Sequence, residues 1–340
     1  MKIYLPLLFS AIASSGIWVH AADNKSSPNT TSDDNDNDND TILSPPHTFC
    51  ADDMEMVFGF GDSYTNLMGP KGDVWTWNHF QSNDSVLDAP IRINGTTAHG
   101  PNWIEYLTEC YEGLPQDCDP QLFDVAYGGA SVDSDLVPPA YTHIVDFIHQ
   151  VKQWKEYIKP AVTWKPETTL TAVWFGINDA LNSSKTKTWI ELGILFNKIM
   201  DVYSEQLETL YSYGMRSFLV VNVPPMEHAP AHIGNHTIAK VVKSFNDLLQ
   251  ARVALFNTKH KDEVFVHYFD AHRYFNEYLT NSSGLFKNTT GYCDVDKCEY
   301  PNYEYFWMNN IHPMYPVHKL LAEDLSKELK EASQCSSSLI

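Results

Sequence analysis

Short apolar runs alternate with long amphipathic stretches along most of this chain. The runs are rich in β-branched and aromatic residues, which favour strands, and the stretches show the spacing of helices with one buried face. Five strands are predicted, at 55–60, 122–126, 170–175, 217–223 and 263–269. Five helices are predicted, at 103–109, 141–158, 189–213, 238–256 and 313–332. This alternation predicts an α/β fold, with a five-stranded parallel sheet joined by crossover helices.

The two ends of the chain differ in composition from this central region. Residues 1–21 begin with Met1-Lys2, continue as an apolar stretch and end in small residues, so they predict a secretory signal peptide. Residues 22–48 contain an Asp/Asn/Ser/Thr tract at 24–40 without any aliphatic or aromatic side chain, which predicts a disordered tail. Residues 49–340 remain, enough for one large domain.

Charge and hydropathy exclude some classes of binding partner. The formal net charge is −20, which argues against nucleic acid or an anionic membrane as a partner. No segment after the signal peptide is apolar for long enough to span a bilayer, so no membrane anchor is expected. We expect a secreted, extracellular monomer.

Cysteines and glycosylation triplets agree with secretion. Six cysteines allow three disulfides in fifteen connectivities, and we favour Cys110 with Cys118, Cys293 with Cys298 and Cys50 with Cys335. Chance alone produces some Asn-x-Ser/Thr triplets in a chain this rich in Asn and Ser, so we expect only part of them to be glycosylated. They occur at Asn24, Asn29, Asn39, Asn83, Asn94, Asn182, Asn235, Asn281 and Asn288.

Four segments carry the candidate chemistry. Ser63 follows the first predicted strand, Gly129 the second and Asn178 the third, so all three belong at the carboxyl edge of the sheet, where ligands bind. His312 precedes Pro313, which places it where a loop meets a helix. A serine with a distant histidine is the arrangement that nucleophilic ester cleavage requires. Backbone N–H groups and an Asn amide are suitable donors to an oxyanion.

Each of these residues also has a purely structural interpretation. Ser63 and Asn178 are residue types that cap helices, Gly129 could serve only a tight turn, and thirteen other histidines compete with His312. The pentapeptide Gly-x-Ser-x-Gly is absent, which argues against an α/β-hydrolase elbow. A zinc site is disfavoured, because there is no Cys-x-x-Cys pair and His228 and His232 flank Pro230. No cofactor or metal is expected.

The four segments together resemble the conserved blocks of GDSL/SGNH hydrolases. The matching segments are Gly61-Asp62-Ser63, Gly128-Gly129, Gly176-Ile177-Asn178-Asp179 and His312-Pro313, which span nearly the whole folded chain. Gly100-Pro101-Asn102-Trp103, Ala126 to Ala130 and Phe306-Trp307 further resemble fungal secreted acetylesterases of carbohydrate esterase family 16. The resemblance implies a three-layer α/β/α sandwich of the flavodoxin-like SGNH type.

The resemblance also implies roles for the residues. Ser63 is expected to be the nucleophile and His312 the base, with the N–H groups of Ser63 and Gly129 and the side chain of Asn178 as the oxyanion hole. One position departs from the family, since Asn309 stands where an aspartate commonly orients the histidine. Asn309 can orient the ring without offsetting its charge. Alternatively, a carboxylate such as Glu304 or Asp294 replaces the aspartate.

The chain is therefore expected to be a secreted serine esterase that removes short acyl groups, most of all acetyl, from plant cell-wall carbohydrate or its oligosaccharides. Trp75, Trp77, Phe80 and Trp103 are candidates for stacking on sugar rings, and core packing is their equal alternative. A lipase or phospholipase acting on longer acyl esters is the alternative among enzymes. A secreted carbohydrate-binding protein with a degenerate site is the alternative outside them.

Overall fold

The computed structural model describes residues 47–67, 86–88, 90–281, 284–293, 298–333 and 335. The described residues belong to one compact unit. The predicted signal peptide and the predicted tail up to residue 46 lie outside the described residues. Among the helices of the described part, none is long and apolar enough to cross a membrane.

A five-stranded parallel sheet forms the centre of the fold and confirms the predicted fold class. Its order is β2-β1-β3-β4-β5, and every neighbouring pair is parallel. All five strands were predicted, and their ends differ from the prediction by at most two residues. The strands are β1 (Met56–Gly61), β2 (Gln121–Asp124), β3 (Thr169–Trp174), β4 (Ser217–Val221) and β5 (Phe265–Phe269).

Seven α-helices accompany the strands in the part of the chain that the structure describes. They are α1 (Trp103–Thr108), α2 (Phe147–Gln153), α3 (Ile177–Ser184), α4 (Trp189–Ser212), α5 (His236–Lys259), α6 (Ala271–Asn281) and α7 (Tyr315–Ala332). Five correspond to predicted helices, whereas α3 and α6 were not predicted. The periodic apolar positions of α4, α5 and α7 form their buried faces.

Alternate residues of β1 show that helices cover both faces of the sheet. Phe58 and Phe60 both contact Trp154, which continues α2 as a π-helical turn. Gly59, between them, lies against Ile104 of α1 on the other face. Helix α1 packs against α7, and α2 packs against α4, so the helices form two outer layers around the sheet.

The second helix begins six residues later than predicted. Asp146 is its N-cap and accepts a hydrogen bond from the backbone N–H of His149 at 3.0 Å. The other carboxylate oxygen of Asp146 accepts from the N–H of Ser134 at 2.9 Å, so Asp146 also closes the preceding loop. Residues 141–146, predicted as helix, therefore belong to a loop that runs from the end of β2 to α2.

A small two-stranded parallel sheet was not predicted from the sequence. It pairs β6 (Asn288–Tyr292) with β7 (Tyr305–Trp307), and Trp307 donates from its indole nitrogen to the carbonyl of Thr289 at 2.9 Å. Trp307 is fully buried, which fixes the end of β7. The chain leaves β7 directly into the loop that carries Asn309 and His312.

Three disulfides confirm the favoured pairing of cysteines. Cys110 is bonded to Cys118, Cys293 to Cys298, and Cys50 to Cys335. The last of these joins residues 285 positions apart, so it ties the start of the described region to the end of α7. The other two close short loops of eight and five residues.

We expect the long-range disulfide to stabilise the fold more than a short-range one, because cross-linking distant residues removes more chain entropy from the unfolded state. Replacing Cys50 and Cys335 by alanine should lower the free energy of unfolding by about 3 kcal/mol more than replacing Cys293 and Cys298. Urea unfolding followed by circular dichroism measures both losses. Equal losses for the two pairs would contradict this expectation.

Candidate active site

The carboxyl ends of the first three strands bring three candidate residues to one place. The strand order reverses between β1 and β3, and in parallel sheets the crevice at such a reversal is where ligands bind. Ser63 follows β1, Gly129 lies beyond β2, and Asn178 lies in the first turn of α3 after β3. All three line one cleft, as does His312.

The turn that carries Ser63 is fixed by hydrogen bonds on both sides. Asp62 accepts from the backbone N–H of Tyr64 at 3.0 Å, and Thr97 donates its hydroxyl to the carbonyl oxygen of Ser63 at 2.6 Å. Asp62 is fully buried, and this burial raises its pKa to about 7. The serine side chain thus projects from a rigid turn into the cleft.

Ser63 and His312 are in direct contact. The hydroxyl oxygen of Ser63 lies 2.8 Å from Nε2 of His312, a distance at which the hydroxyl donates to a neutral imidazole. On its other side, Nδ1 of His312 lies 3.1 Å from Oδ1 of Asn309. This continuous chain has the form that a nucleophile, its base and an orienting acceptor require.

Asn309 accepts hydrogen bonds from the backbone of its loop as well as from the histidine ring. Its Oδ1 also accepts from the backbone N–H groups of Ile311 at 2.9 Å and His312 at 2.8 Å. Because two of these partners are backbone N–H groups, the atom is the amide oxygen, and an acceptor 3.1 Å from Nδ1 places a proton of His312 on that nitrogen. The neutral tautomer with a free Nε2 is thereby selected.

Glu304, one of the two carboxylates proposed as alternatives to Asn309, is not placed against the ring. Glu304 forms an ion pair with Lys287 at 2.8 Å, and within the described part of the chain it makes no hydrogen bond to His312. Asp294 lies outside the described residues. Asn309 is therefore the side chain that the structure places in hydrogen-bonding contact with Nδ1.

The loop of His312 is held by its own backbone and by Tyr64. The N–H of Met308 donates to the carbonyl of His312 at 2.7 Å, which closes the loop after β7. The hydroxyl of Tyr64, the residue after the nucleophile, donates to the carbonyl of Ile311 at 2.5 Å. One buried tyrosine thus links the turn of the serine to the loop of the histidine. Sequence analysis did not identify this residue.

The first turn of the final helix differs from the prediction. Helix α7 begins at Tyr315 with Pro316 in its first turn, whereas Pro313 forms an isolated bridge to Trp307. Pro313 therefore restricts His312 from outside the helix. Two residues separate the histidine from the helix start, and its position depends on the loop rather than on helix capping.

Two backbone N–H groups of the predicted oxyanion hole are available to donate hydrogen bonds to a ligand. Those of Ser63 and Gly129 make no hydrogen bond to any described part of the chain. Gly129 has φ of +85°, and a side chain there would meet Cδ1 of Ile144 at 2.9 Å, so only glycine fits. These two donors match the requirement for stabilising a developing negative charge beside Ser63.

Asn178 is at the cleft, but its amide nitrogen already has two acceptors. It donates to Oδ2 of Asp62 at 3.2 Å and to the carbonyl of Ala130 at 3.0 Å. Serving an oxyanion would require it to release one of these bonds, and the bond to Asp62 is the longer. The neighbouring Asp179 is a bracing residue, since its carboxylate accepts from the N–H of Val132 at 3.0 Å.

The surroundings of His312 favour its neutral form. Desolvation lowers the pKa of His312 to about 4, and none of the described carboxylates forms an ion pair with the ring to oppose this effect. His318 of α7 is buried close by, and neither of its ring nitrogens has a hydrogen-bond partner in the described part of the chain. Burial and the nearby His312 lower the pKa of His318 to about 3. The proposed base is therefore unprotonated in mildly acidic solution.

The cleft has a volume of about 530 Å³ and contains several residues that sequence analysis missed. The loop between β2 and α2 contributes a run of side chains to one wall. Besides the candidate residues already described, the cleft is lined by Asn66, Thr97, Tyr127, Gly128, Ala140, Tyr141, His143, Ile144 and Ile311. A clear sequence signal for this wall was lacking, because its residues lie in a stretch with helical periodicity.

Of the aromatic residues proposed to stack on sugar rings, the structure describes Trp103, which does not line the cleft. Trp103 is fully buried, donates to the hydroxyl of Thr65 at 3.3 Å and packs edge-on against Trp174. It belongs to the core, which corrects the sugar-stacking alternative for this residue. Trp75, Trp77 and Phe80 lie outside the described residues.

Potential metal ligands come together at one place in the described part of the chain, at Cys50, Asp52 and Cys335. Both sulfur atoms of that group form a disulfide, so they are not thiolate ligands. The side chains around Ser63 are hydroxyl, amide and imidazole groups, suited to acyl transfer by a nucleophile and a base.

Comparison with known proteins agrees with this chemistry. The GDSL-like lipase/acylhydrolase family model matches residues 57–325. An acetylesterase of Thermothelomyces thermophilus is 27% identical over 302 residues, which cover 84% of this chain and 91% of that protein. The thermolabile hemolysin of Vibrio parahaemolyticus is 24% identical over 330 residues, covering 90% of this chain and 68% of that protein.

A similar solved structure is an acetylxylan esterase from Geobacillus stearothermophilus. It is 14% identical, with a TM-score of 0.41, and the match covers 83% of this chain and 97% of that one. On the sequence match and the site chemistry, the protein is a carboxylic ester hydrolase. It belongs to the GDSL-like lipase/acylhydrolase family.

We expect the Asn309→Asp variant to lose activity at a higher pH than the unmodified protein. The base works unprotonated, so kcat/KM should fall only as the pH approaches the lowered pKa of His312, about 4. A carboxylate against Nδ1 favours the imidazolium and should raise that pKa by about one unit or more. The pH profile of kcat/KM for p-nitrophenyl acetate measures the shift.

Asn310→Asp is the matched control, because it adds the same charge to the neighbouring exposed residue. In this control, the pH at which kcat/KM falls on the acid side of the profile should stay close to that of the unmodified protein. An identical acid limb in the Asn309→Asp variant would show that Asn309 does not set the protonation of the base.

Proposed function

We propose that this protein is a secreted, glycosylated acetylesterase that acts on plant cell-wall carbohydrate or its oligosaccharides through an acyl-enzyme on Ser63. The observation that carries the proposal is the hydrogen-bonded chain from Ser63 through His312 to Asn309 in an open cleft. The likeness to the acetylesterase of Thermothelomyces thermophilus supports acetyl as the acyl group.

The mechanism follows from the positions of the groups. Nε2 of His312 takes the hydroxyl proton of Ser63 as Oγ attacks the ester carbonyl, and the resulting oxyanion faces the N–H groups of Ser63 and Gly129. The tetrahedral intermediate collapses, His312 returns the proton to the leaving alcohol, and an acyl-serine remains. Water, activated by the same Nε2, then releases the acid. Asn309 holds the ring in one tautomer throughout.

The size of the acyl site supports a short acyl group. Cδ1 of Ile144 lies where a side chain on Gly129 would begin, so the space beside this proposed oxyanion donor is already filled. Gly128 leaves open the space next to Cβ of Ser63, since a Cβ on it would be 3.8 Å from that atom. Because Ile144 fills one side of this space, the site suits an acetyl group better than a long chain.

Secretion and glycosylation have separate support. Three disulfides are typical of proteins that fold in an oxidising compartment. The predicted signal peptide at 1–21 would deliver the chain to that compartment. Of the Asn-x-Ser/Thr triplets, those at Asn94 and Asn235 have exposed asparagines and are available for glycans.

We expect Ser63→Ala and His312→Ala to abolish hydrolysis of p-nitrophenyl acetate, with kcat lowered by at least about 10³. The unmodified protein should prefer acetate over butyrate and hydrolyse palmitate least. Ser212→Ala, a serine exposed at the end of α4, should retain full activity. Initial rates on the three esters test this. Preference for palmitate would instead assign a lipase, and turnover that survives Ser63→Ala would remove the proposed nucleophile.

We expect Ile144→Ala to widen the acyl site. Its ratio of kcat/KM for butyrate to that for acetate should rise about tenfold, because a hydrophobic pocket discriminates by roughly this factor per methylene. Ile190→Ala is the control, since Ile190 is 77% exposed on α4 and does not line the cleft. A ratio that is unchanged in Ile144→Ala would contradict the proposed acyl site.

A further inference from the structure

Tyr141 and His143 form a pair of stacked rings at the mouth of the cleft. Their ring centroids are 5.5 Å apart and their planes differ by 14°. The buried Tyr127 meets His143 edge-on from below, at 6.2 Å and 67°. All three residues line the cleft that contains Ser63. The rings therefore form a ladder that leads from the protein interior to solvent beside the nucleophile.

The outermost ring of this ladder is unusually exposed for an aromatic side chain. Tyr141 is 65% exposed, and of the large hydrophobic side chains exposed in the described part of the chain it is the one that lines this cleft. The hydroxyl of Tyr141 and the ring nitrogens of His143 make no hydrogen bonds to the described residues. The pair thus offers flat apolar faces together with free polar edges.

The backbone beneath the pair is ordered before any ligand binds. The N–H of Ile144 donates to the carbonyl of Tyr141 at 3.2 Å, and the N–H of Phe147 donates to the carbonyl of Ser131 at 3.1 Å. The hydroxyl of Ser131 donates to the carbonyl of Val137 at 3.0 Å, which closes the loop on itself. A ligand that stacks on these rings would not need to order the loop first.

We propose that Tyr141 and His143 form an aromatic platform that binds a pyranose ring in the alcohol half of the ester, which makes them residues that determine specificity. The proposal rests on the acetylesterase function proposed above. A pyranose ring has C–H groups on its faces and hydroxyl groups around its edge, so it matches both the faces and the polar edges of this pair. An acyl chain matches the faces alone.

The test compares a sugar ester with an ester that has no ring in its alcohol half. The substrates are per-acetylated methyl β-xylopyranoside and ethyl acetate, and the variants are Tyr141→Ala and Tyr141→Phe. Tyr141→Ala should lower kcat/KM for the xyloside about tenfold and leave that for ethyl acetate within about twofold. Tyr141→Phe keeps the ring and should retain most of the activity on the xyloside.

Tyr303→Ala is the matched control, because Tyr303 is a 50% exposed tyrosine that does not line the cleft. It should leave both substrates unaffected. A second measurement uses Ser63→Ala, which does not turn the xyloside over, and follows binding by saturation-transfer NMR. The signal of the bound xyloside should be lost when Tyr141→Ala is added.

Two results would overturn the platform. The first is an unchanged ratio of kcat/KM between the two substrates in Tyr141→Ala, whether both values stay the same or fall equally. The second is a selective loss on p-nitrophenyl palmitate, which would assign the rings to an acyl chain. Failure of the proposed function would be seen separately, as the absence of Ser63-dependent turnover of ethyl acetate by the unmodified protein. Loss of the platform effect alone leaves that turnover intact.

Discussion

The amide oxygen of Asn309 accepts three N–H groups at once, and the geometry of the active site depends on it. Two of them belong to the backbone of the loop and the third is Nδ1 of His312. An aspartate in this place would hold the same geometry and also add a charge. Asn309 holds the tautomer without that charge, so desolvation lowers the pKa of His312 with no opposing charge among the described residues that contact the ring.

This arrangement has a chemical consequence for the reaction. In an aspartate triad the carboxylate stabilises the imidazolium that forms when the base takes a proton. In the proposed mechanism the stabilisation of charge falls on the N–H groups of Ser63 and Gly129, which make no hydrogen bond to the described residues. The histidine is therefore a weaker base, but it stays neutral, and so able to accept a proton, in acidic surroundings.

The parts of the fold that the sequence predicted are those governed by burial. Strands buried on both faces read as continuous apolar runs, and long helices repeat apolar positions over several turns, so both were predicted. β6 is polar, β7 spans only three residues and α3 only eight, so none of them leaves a comparable pattern. The loop before α2 was mistaken for helix because its boundary depends on the side chain of Asp146.

In the candidate site, too, features set by the local sequence were predicted and features set by contacts between distant segments were not. Chain order and strand ends were enough to bring Ser63, Gly129 and Asn178 together at the sheet edge. Contacts between distant segments were not predictable, and these include the bond from Tyr64 to the histidine loop and the cleft wall that carries Tyr141. The choice between Asn309 and a carboxylate also required the structure, because several side chains lie at suitable sequence distances from the histidine.

Detection of the acyl-enzyme tests the central claim most directly. The protein would be mixed with p-nitrophenyl acetate, quenched in acid within the first turnovers, digested and weighed by mass spectrometry. The account predicts a mass increase of one acetyl group on the peptide that contains Ser63, and no increase in Ser63→Ala. An acetyl group on another residue, or steady release of acetate without any acetylated protein, would contradict it.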